Sequence, residues 1–218
     1  MYITMSSDKF KAEYGKRLTE INYDASKEIA DINNFFDEKI NNEKFRDSTG
    51  GQETYHIDYG DISEMDLWIE LTSKIVDLMK NMGSQLDFNE FKHTLKYTFI
   101  KMEPHGILPP HTASFIRAMC SINVPLRGIT KIDLYEDHPA RPHRHGKFLV
   151  KHHYTSPIIL NVNEFHGVEN DCDQERMILK VHFPVVQYHQ MKKSFNEPVK
   201  IFNEPMPWSY DRGTKQRI

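Results

Sequence analysis

Two histidines and an arginine in the second half of the chain combine the residue types, order and spacing of a metal-and-anion site. His111 follows the turn Pro109-Pro110 and opens the stretch His111-Thr112-Ala113. His166 sits in the turn Asn163-Glu164-Phe165-His166-Gly167, after the apolar run Pro157-Ile158-Ile159-Leu160. Arg176 lies ten residues beyond His166 and begins a segment of alternating polarity. Two neutral imidazoles bind a divalent first-row metal and leave several coordination positions open. A guanidinium on the next strand can hold a dicarboxylate through a bidentate fork while the other end of the acid chelates the metal. Taken alone, His111 reads better as a loop histidine with no metal, and Arg176 could instead be a surface strand residue paired with Glu169 or Asp173. Their order and spacing together favour the metal reading.

Other groups could add chemistry. Residues 133–153 are dense in charge and proline and carry His138, His143, His145, His152 and His153. The pair His143 and His145 has ligand-like spacing, but a solvated basic loop, or a lid over a substrate, accounts for the same residues. Arg117 shares a strand face with Asn123 and is a candidate for binding a substrate carboxylate, or for pairing with an acid.

The elements that must position these groups are mostly strands. Residues 95–102 are rich in β-branched and aromatic types, and residues 104–110 are too rich in Gly and Pro for a helix. In residues 115–124, Ile116, Ala118, Cys120, Ile122 and Val124 alternate with Arg117, Met119, Ser121 and Asn123. In residues 176–183, Met177, Leu179, Val181 and Phe183 oppose Arg176, Lys180 and His182. Each strand thus has one face for a core and one for a pocket, and residues 133–153 between them read as a long loop or irregular hairpin. A helix is expected over residues 63–82, capped by Ser63, with an apolar stripe from Met65 to Met79 and a stop at Gly83. Residues 6–45 are polar, with sparse helical spacing (Leu18, Ile21, Ile29, Ile32, Phe35, Phe36), and predict surface helices or an arm that orders on a partner. The expected organisation is a helical extension over residues 1–50 and a β domain over residues 51–218.

Composition narrows the classes. The chain has 218 residues, 39% hydrophobic and 27% charged, with formal net charge -3, which suits an ordinary soluble globular protein and argues against a general nucleic-acid binder. No apolar run approaches the roughly 20 residues needed to cross a bilayer, and the first residues lack the apolar centre of a secretory signal. Two cysteines, Cys120 and Cys172, far apart, make a disulfide framework or structural zinc site improbable and point to a reducing cytoplasm. A monomer or homodimer without membrane partners is expected.

Residues 97–183, under half of the chain, resemble the Fe(II)- and 2-oxoglutarate-dependent oxygenases of the cupin superfamily, and more narrowly the branch of the aspartyl/asparaginyl β-hydroxylases. The resemblance is carried by Pro109-Pro110-His111-Thr112, by the turn His166-Gly167-Val168, and by Arg176 ten residues after His166. It implies a double-stranded β-helix (a cupin-like jelly roll), mainly β, with N-terminal helices packed on the major sheet. It implies that His111 and His166 hold Fe(II), that Arg176 grips the far carboxylate of 2-oxoglutarate, and that Asn123 or Ser121 touches this co-substrate. The implied reaction uses O2 to hydroxylate an amino acid, a peptide side chain or another small polar substrate. Two positions depart from the pattern. Ala113 stands where most relatives carry a carboxylate ligand; the asparaginyl branch also lacks it, and in iron halogenases of the superfamily chloride fills the gap. Ile178 stands where many relatives carry a hydroxyl, a contact that Tyr97 could supply instead. Halogenation and a non-catalytic cupin-like binding module are the alternatives.

Overall fold

In their described residues, the strand-length runs of alternating polarity fold as strands. The computed structural model describes residues 13–112, 120–138 and 144–201. In chain order these form β1 (Leu18–Glu20), α1 (Ser26–Lys39), β2 (Arg46–Asp47), β3 (Gln52–Asp58), α2 (Met65–Asn81), β4 (Lys96–Met102), β5 (Ile107–His111), β6 (Cys120–Arg127), β7 (Lys131–Asp137), β8 (His145–His153), β9 (Ile158–Leu160), β10 (His166–Glu169), β11 (Arg176–Phe183) and α3 (Tyr188–Lys193). The strands make a large sheet of order β1-β9-β6-β11-β4-β3-β2 and a smaller one of order β5-β10-β7-β8. Every pairing between these strands is antiparallel. The architecture is a double-stranded β-helix with helices on the major sheet.

Period-two alternation explains the two cores. On one face of the large sheet, Phe99 of β4, Val124 of β6 and Leu179 of β11 join Phe36 of α1 and Leu78 of α2 in one buried cluster. Between the sheets a smaller cluster forms from Leu18, Ile132, Leu134, Ile158, Leu160 and Val162. The remaining space between the sheets holds the polar residues of β6 and β11.

The stretch expected to be an arm is packed into the fold in its described part. β1 pairs with β9, and Ile32, Phe35 and Phe36 of α1 are buried in the larger core. Its few apolar residues suffice because they line one side of α1 while the charged ones face outward. The expected cap of α2 is corrected: the helix has no side-chain cap, and Asp61 caps the 3-10 turn Ile62–Glu64 that leads into it, accepting from the Ser63 backbone N–H at 3.0 Å, while the Ser63 hydroxyl only donates to Asp61. The stop is as expected. Gly83 has φ 92°, its N–H reaches the Lys80 carbonyl at 2.9 Å, and the Ser84 N–H reaches the Met79 carbonyl at 2.9 Å, which together close the helix in a Schellman motif. Residues 133–153 form the β7–β8 hairpin, irregular through register shifts at Leu134/Tyr135 and Tyr135/Asp137. Its tip, including His143, lies outside the described residues, as do Pro205, Pro207 and Trp208 of the tail.

Candidate metal and anion site

His111 ends β5 and His166 begins β10, and the pairing of these strands sets the two residues opposite one another. Their ring centroids are 4.5 Å apart at an interplanar angle of 52°. Each ring is fixed in the same way. His111 Nδ1 lies 2.9 Å from the carbonyl of Pro109, and His166 Nδ1 lies 2.9 Å from that of Glu164. A carbonyl only accepts, so each Nδ1 donates, and in the neutral ring the lone pair is left on Nε2. His166 is buried, and its Nε2 has no hydrogen-bond partner. Burial pushes both imidazoles below their ordinary pKa, and the positive charge of Lys180 pushes them further. Both rings are therefore neutral, the form that ligates a metal.

The turn that presents His166 is tied to the N-terminal segment. Arg17, 3% exposed, forms an ion pair with Glu164, whose own carbonyl orients His166. The Asn161 backbone N–H donates to the Arg17 carbonyl at 2.8 Å, and its side-chain amide donates to the Lys16 carbonyl at 3.0 Å.

Facing the histidines is the inner face of the large sheet, whose cross-strand register sorts it into rows. Gln52, Met102 and Arg176 form the first row, Ile100 and Ile178 the second, and Thr98, Lys180 and Asn123 the third. The two cationic rows are separated by an apolar one, with Arg176 and Lys180 roughly 13 Å apart along the backbone. Arg176 is 2% exposed. One of its terminal nitrogens lies 3.7 Å from Met102 Sδ, and its Nε has no partner. The carboxylates that could have paired with it are engaged elsewhere, Glu169 by Lys151 at 2.5 Å and Asp173 by His105 at 3.1 Å. Asp133 on β7 feels the Arg176 charge but forms no ion pair with it, and burial holds its carboxyl above the usual range. A buried cation without a counter-charge is costly and marks a place for an anion.

The structure thus brings His111, His166, Arg176 and Asn123 to one cavity of about 30 Å³. That volume holds one or two waters, so a larger ligand enters with movement of the long side chains of Arg176, Lys180 and Lys131 that line it. Ser121 reaches the cavity only through Asn123, to whose Oδ1 its hydroxyl donates at 3.2 Å. The expectation for Tyr97 is corrected. Tyr97 belongs to the opposite face of β4, in the larger core, and its hydroxyl is 2.7 Å from that of Thr72 on α2. Ala113 and Arg117 lie outside the described residues. Several lining residues were not singled out from the sequence, among them Lys180, Gln52 and Tyr154. Lys180 shares a strand face with Arg176, so the alternation of β11 pointed to it; Gln52 and the buried, partnerless hydroxyl of Tyr154 carried no such signal. Among the described residues no group of three or more His, Cys, Asp or Glu converges as a metal site.

No protein-family model matches the sequence, and no curated protein matches it. Solved structures do match in shape. An oxidoreductase of the 2OG-Fe(II) oxygenase family from Burkholderia pseudomallei aligns with 84% of this chain and 91% of its own, at TM-score 0.50 and 12% identity. A prolyl-4-hydroxylase from Pseudomonas putida aligns over 80% and 96%, at TM-score 0.45 and 14% identity. The non-heme alpha-ketoglutarate-dependent epimerase SnoN of nogalamycin biosynthesis aligns over 82% of both, at TM-score 0.47 and 14% identity. At these identities the likeness is one of fold, and the first of the three carries it.

Proposed function

We propose that this protein is an Fe(II)- and 2-oxoglutarate-dependent oxygenase that hydroxylates an amino acid, a peptide side chain or another small polar substrate. The observation that carries the reading is the paired imidazoles, both neutral and both with Nδ1 held by a carbonyl, beside the unpaired Arg176. These residues fit the cofactor set: His111 and His166 offer Nε2 to a divalent iron, and Arg176 offers its fork to a carboxylate. Bound there, the iron would supply O2 activation, coupling decarboxylation of 2-oxoglutarate to succinate and CO2 with oxidation of a C–H bond.

The chain's own residues do the rest. The carbonyls of Pro109 and Glu164 hold the imidazoles in the ligating tautomer. Arg176 anchors the acid, and Ile100 and Ile178 keep the middle of the cavity dry. Ser121 fixes the amide of Asn123 at the wall of the cavity, donating to its Oδ1. Arg117 is a candidate for the substrate's carboxylate. A second reading, halogenation, rests on Ala113, which cannot ligate and leaves room for chloride.

The test is an anaerobic titration of the Fe(II) protein with 2-oxoglutarate, followed by the visible metal-to-ligand charge-transfer band. The parent is expected to develop the band, His166→Ala to lack it, and Arg176→Ala to need at least tenfold more 2-oxoglutarate. No band in the parent would overturn the reading in favour of a cupin-like binding module. Chloride-dependent chlorinated product would favour the halogenase.

A further inference from the structure

We propose that Lys180 and the side-chain amide of Asn123 form a second anion subsite, distinct from Arg176, that takes the negatively charged oxygen group of the primary substrate. The group is a carboxylate, sulfonate or phosphate. This rests on the oxygenase reading for its role in catalysis, but the subsite itself needs no metal.

The argument starts from strand register. Lys180 on β11 stands directly opposite Asn123 on β6 and Thr98 on β4, four residues along the strand from Arg176 and on the same face. Both Lys180 and Asn123 line the cavity, and none of the described lining residues is an aspartate or glutamate. No hydrogen bond or ion pair to the Lys180 ammonium occurs among the described residues. The other lining lysine differs, since Lys131 is paired with Asp171. Asn123 is 4% exposed, and its Oδ1 accepts from Ser121. That bond fixes the amide so that its NH2 is the free half, a donor beside the ammonium.

The neighbours behind Lys180 supply no anion either. Thr98 Oγ1 is shared between His56 Nδ1 at 3.0 Å and His182 Nε2 at 3.1 Å. Burial, reinforced by Lys180, keeps His182 well below its ordinary pKa and therefore uncharged. One dicarboxylate gripped by Arg176 leaves this second cation unbalanced. It lines the same cavity as His111 and His166. An anion at Lys180 would thus place the rest of its molecule beside the histidine pair.

Two sources could provide the oxyanion: the substrate, or the near carboxylate of 2-oxoglutarate. Sulfate serves as the probe, followed by the side-chain NH2 resonances of Asn123 in ¹⁵N-labelled protein. One series uses protein without added metal, and a second uses protein saturated with Zn(II) and 2-oxoglutarate. The parent is expected to show a saturable shift in both series, weakened at least tenfold in Lys180→Met and unchanged within threefold in Arg176→Ala. 2-Oxoglutarate affinity, measured by calorimetry with Zn(II), is expected to fall in Arg176→Ala and to change less than threefold in Lys180→Met. Sulfate shifts that persist in Lys180→Met would overturn the subsite. Loss of 2-oxoglutarate affinity in Lys180→Met, with sulfate competing against it, would assign Lys180 to the co-substrate and overturn the proposal. If the parent binds no 2-oxoglutarate, the oxygenase reading fails, and the series without metal still decides the subsite.

Discussion

Arg176 and Lys180 share one face of β11 and neither is ion-paired with a carboxylate among the described residues, so each charge works against the folded state. The cost is visible at Lys180, whose pKa burial and then the Arg176 charge lower to about 8. Between about pH 8 and its unfolded value of 10.5, the unfolded chain binds the proton that the folded chain has released. Stability therefore rises with pH across that window, and the penalty is complete below it. Lys180→Met, which keeps the stem and removes the charge, is expected to raise stability at pH 7 by about 1–2 kcal/mol. Its advantage over the parent should shrink as pH climbs toward 10. Denaturant unfolding of both proteins from pH 7 to 10 checks this, and a constant difference would show that the ammonium is not strained. Such a gain on removing a polar side chain is the mark of a site kept for binding rather than for stability. At this scale the sequence was partly legible. The histidines and Arg176 stood out by type and spacing, whereas Tyr97 was misplaced because its face of β4 depends on register with β11.

At the scale of elements, the histidines are only as well placed as the segments that carry them. β1 and the residues before it act as a strap over the turn 161–166: Arg17 pairs with Glu164, and the Lys16 and Arg17 carbonyls hold Asn161. Arg17→Ala should leave the fold in place, since β1 keeps its register with β9. It is expected to weaken metal binding by roughly three- to tenfold, through a looser His166. Arg17→Lys, able to keep the ion pair, should recover most of the loss. Calorimetric Zn(II) titration of the three proteins measures it, and equal affinities would mean that the strap does not position the ring. None of this could be read from the sequence, where the stretch looked like a detached polar arm. The partner of β1 is set by non-local pairing, and only the half-apolar character of α1 hinted at burial. Helix α2, by contrast, was legible from its stripe and from Gly83, though Ser63 does not cap it and Asp61 caps the 3-10 turn before it.

Over the whole molecule, alternation along the strands gave each a core face and a pocket face, and the family resemblance implied the two-sheet β-helix, but the order β1-β9-β6-β11-β4-β3-β2 was beyond both. Local periodicity says which face is buried, not which strand lies alongside. No described helix is long and apolar enough to cross a membrane. The histidines come from two strands of the smaller sheet, so a metal held between them ties β5 to β10. A divalent ion that binds the folded state alone raises its stability by about 2.7 kcal/mol at a hundredfold excess over Kd. Zn(II) is therefore expected to raise the parent's melting temperature by several degrees and to leave His166→Ala unmoved. An equal rise in both would place the ion elsewhere. The strap has a further consequence, for biosynthesis. Lys16 and Asn161 are joined across 145 positions, so at ordinary ribosomal rates roughly ten to thirty seconds separate their synthesis. The segment that steadies the second histidine is made well before its partner and waits for β9 and the turn after it to emerge. The site is then closed by a piece made long before the turn it holds, and a nascent chain stalled before β9 cannot assemble it.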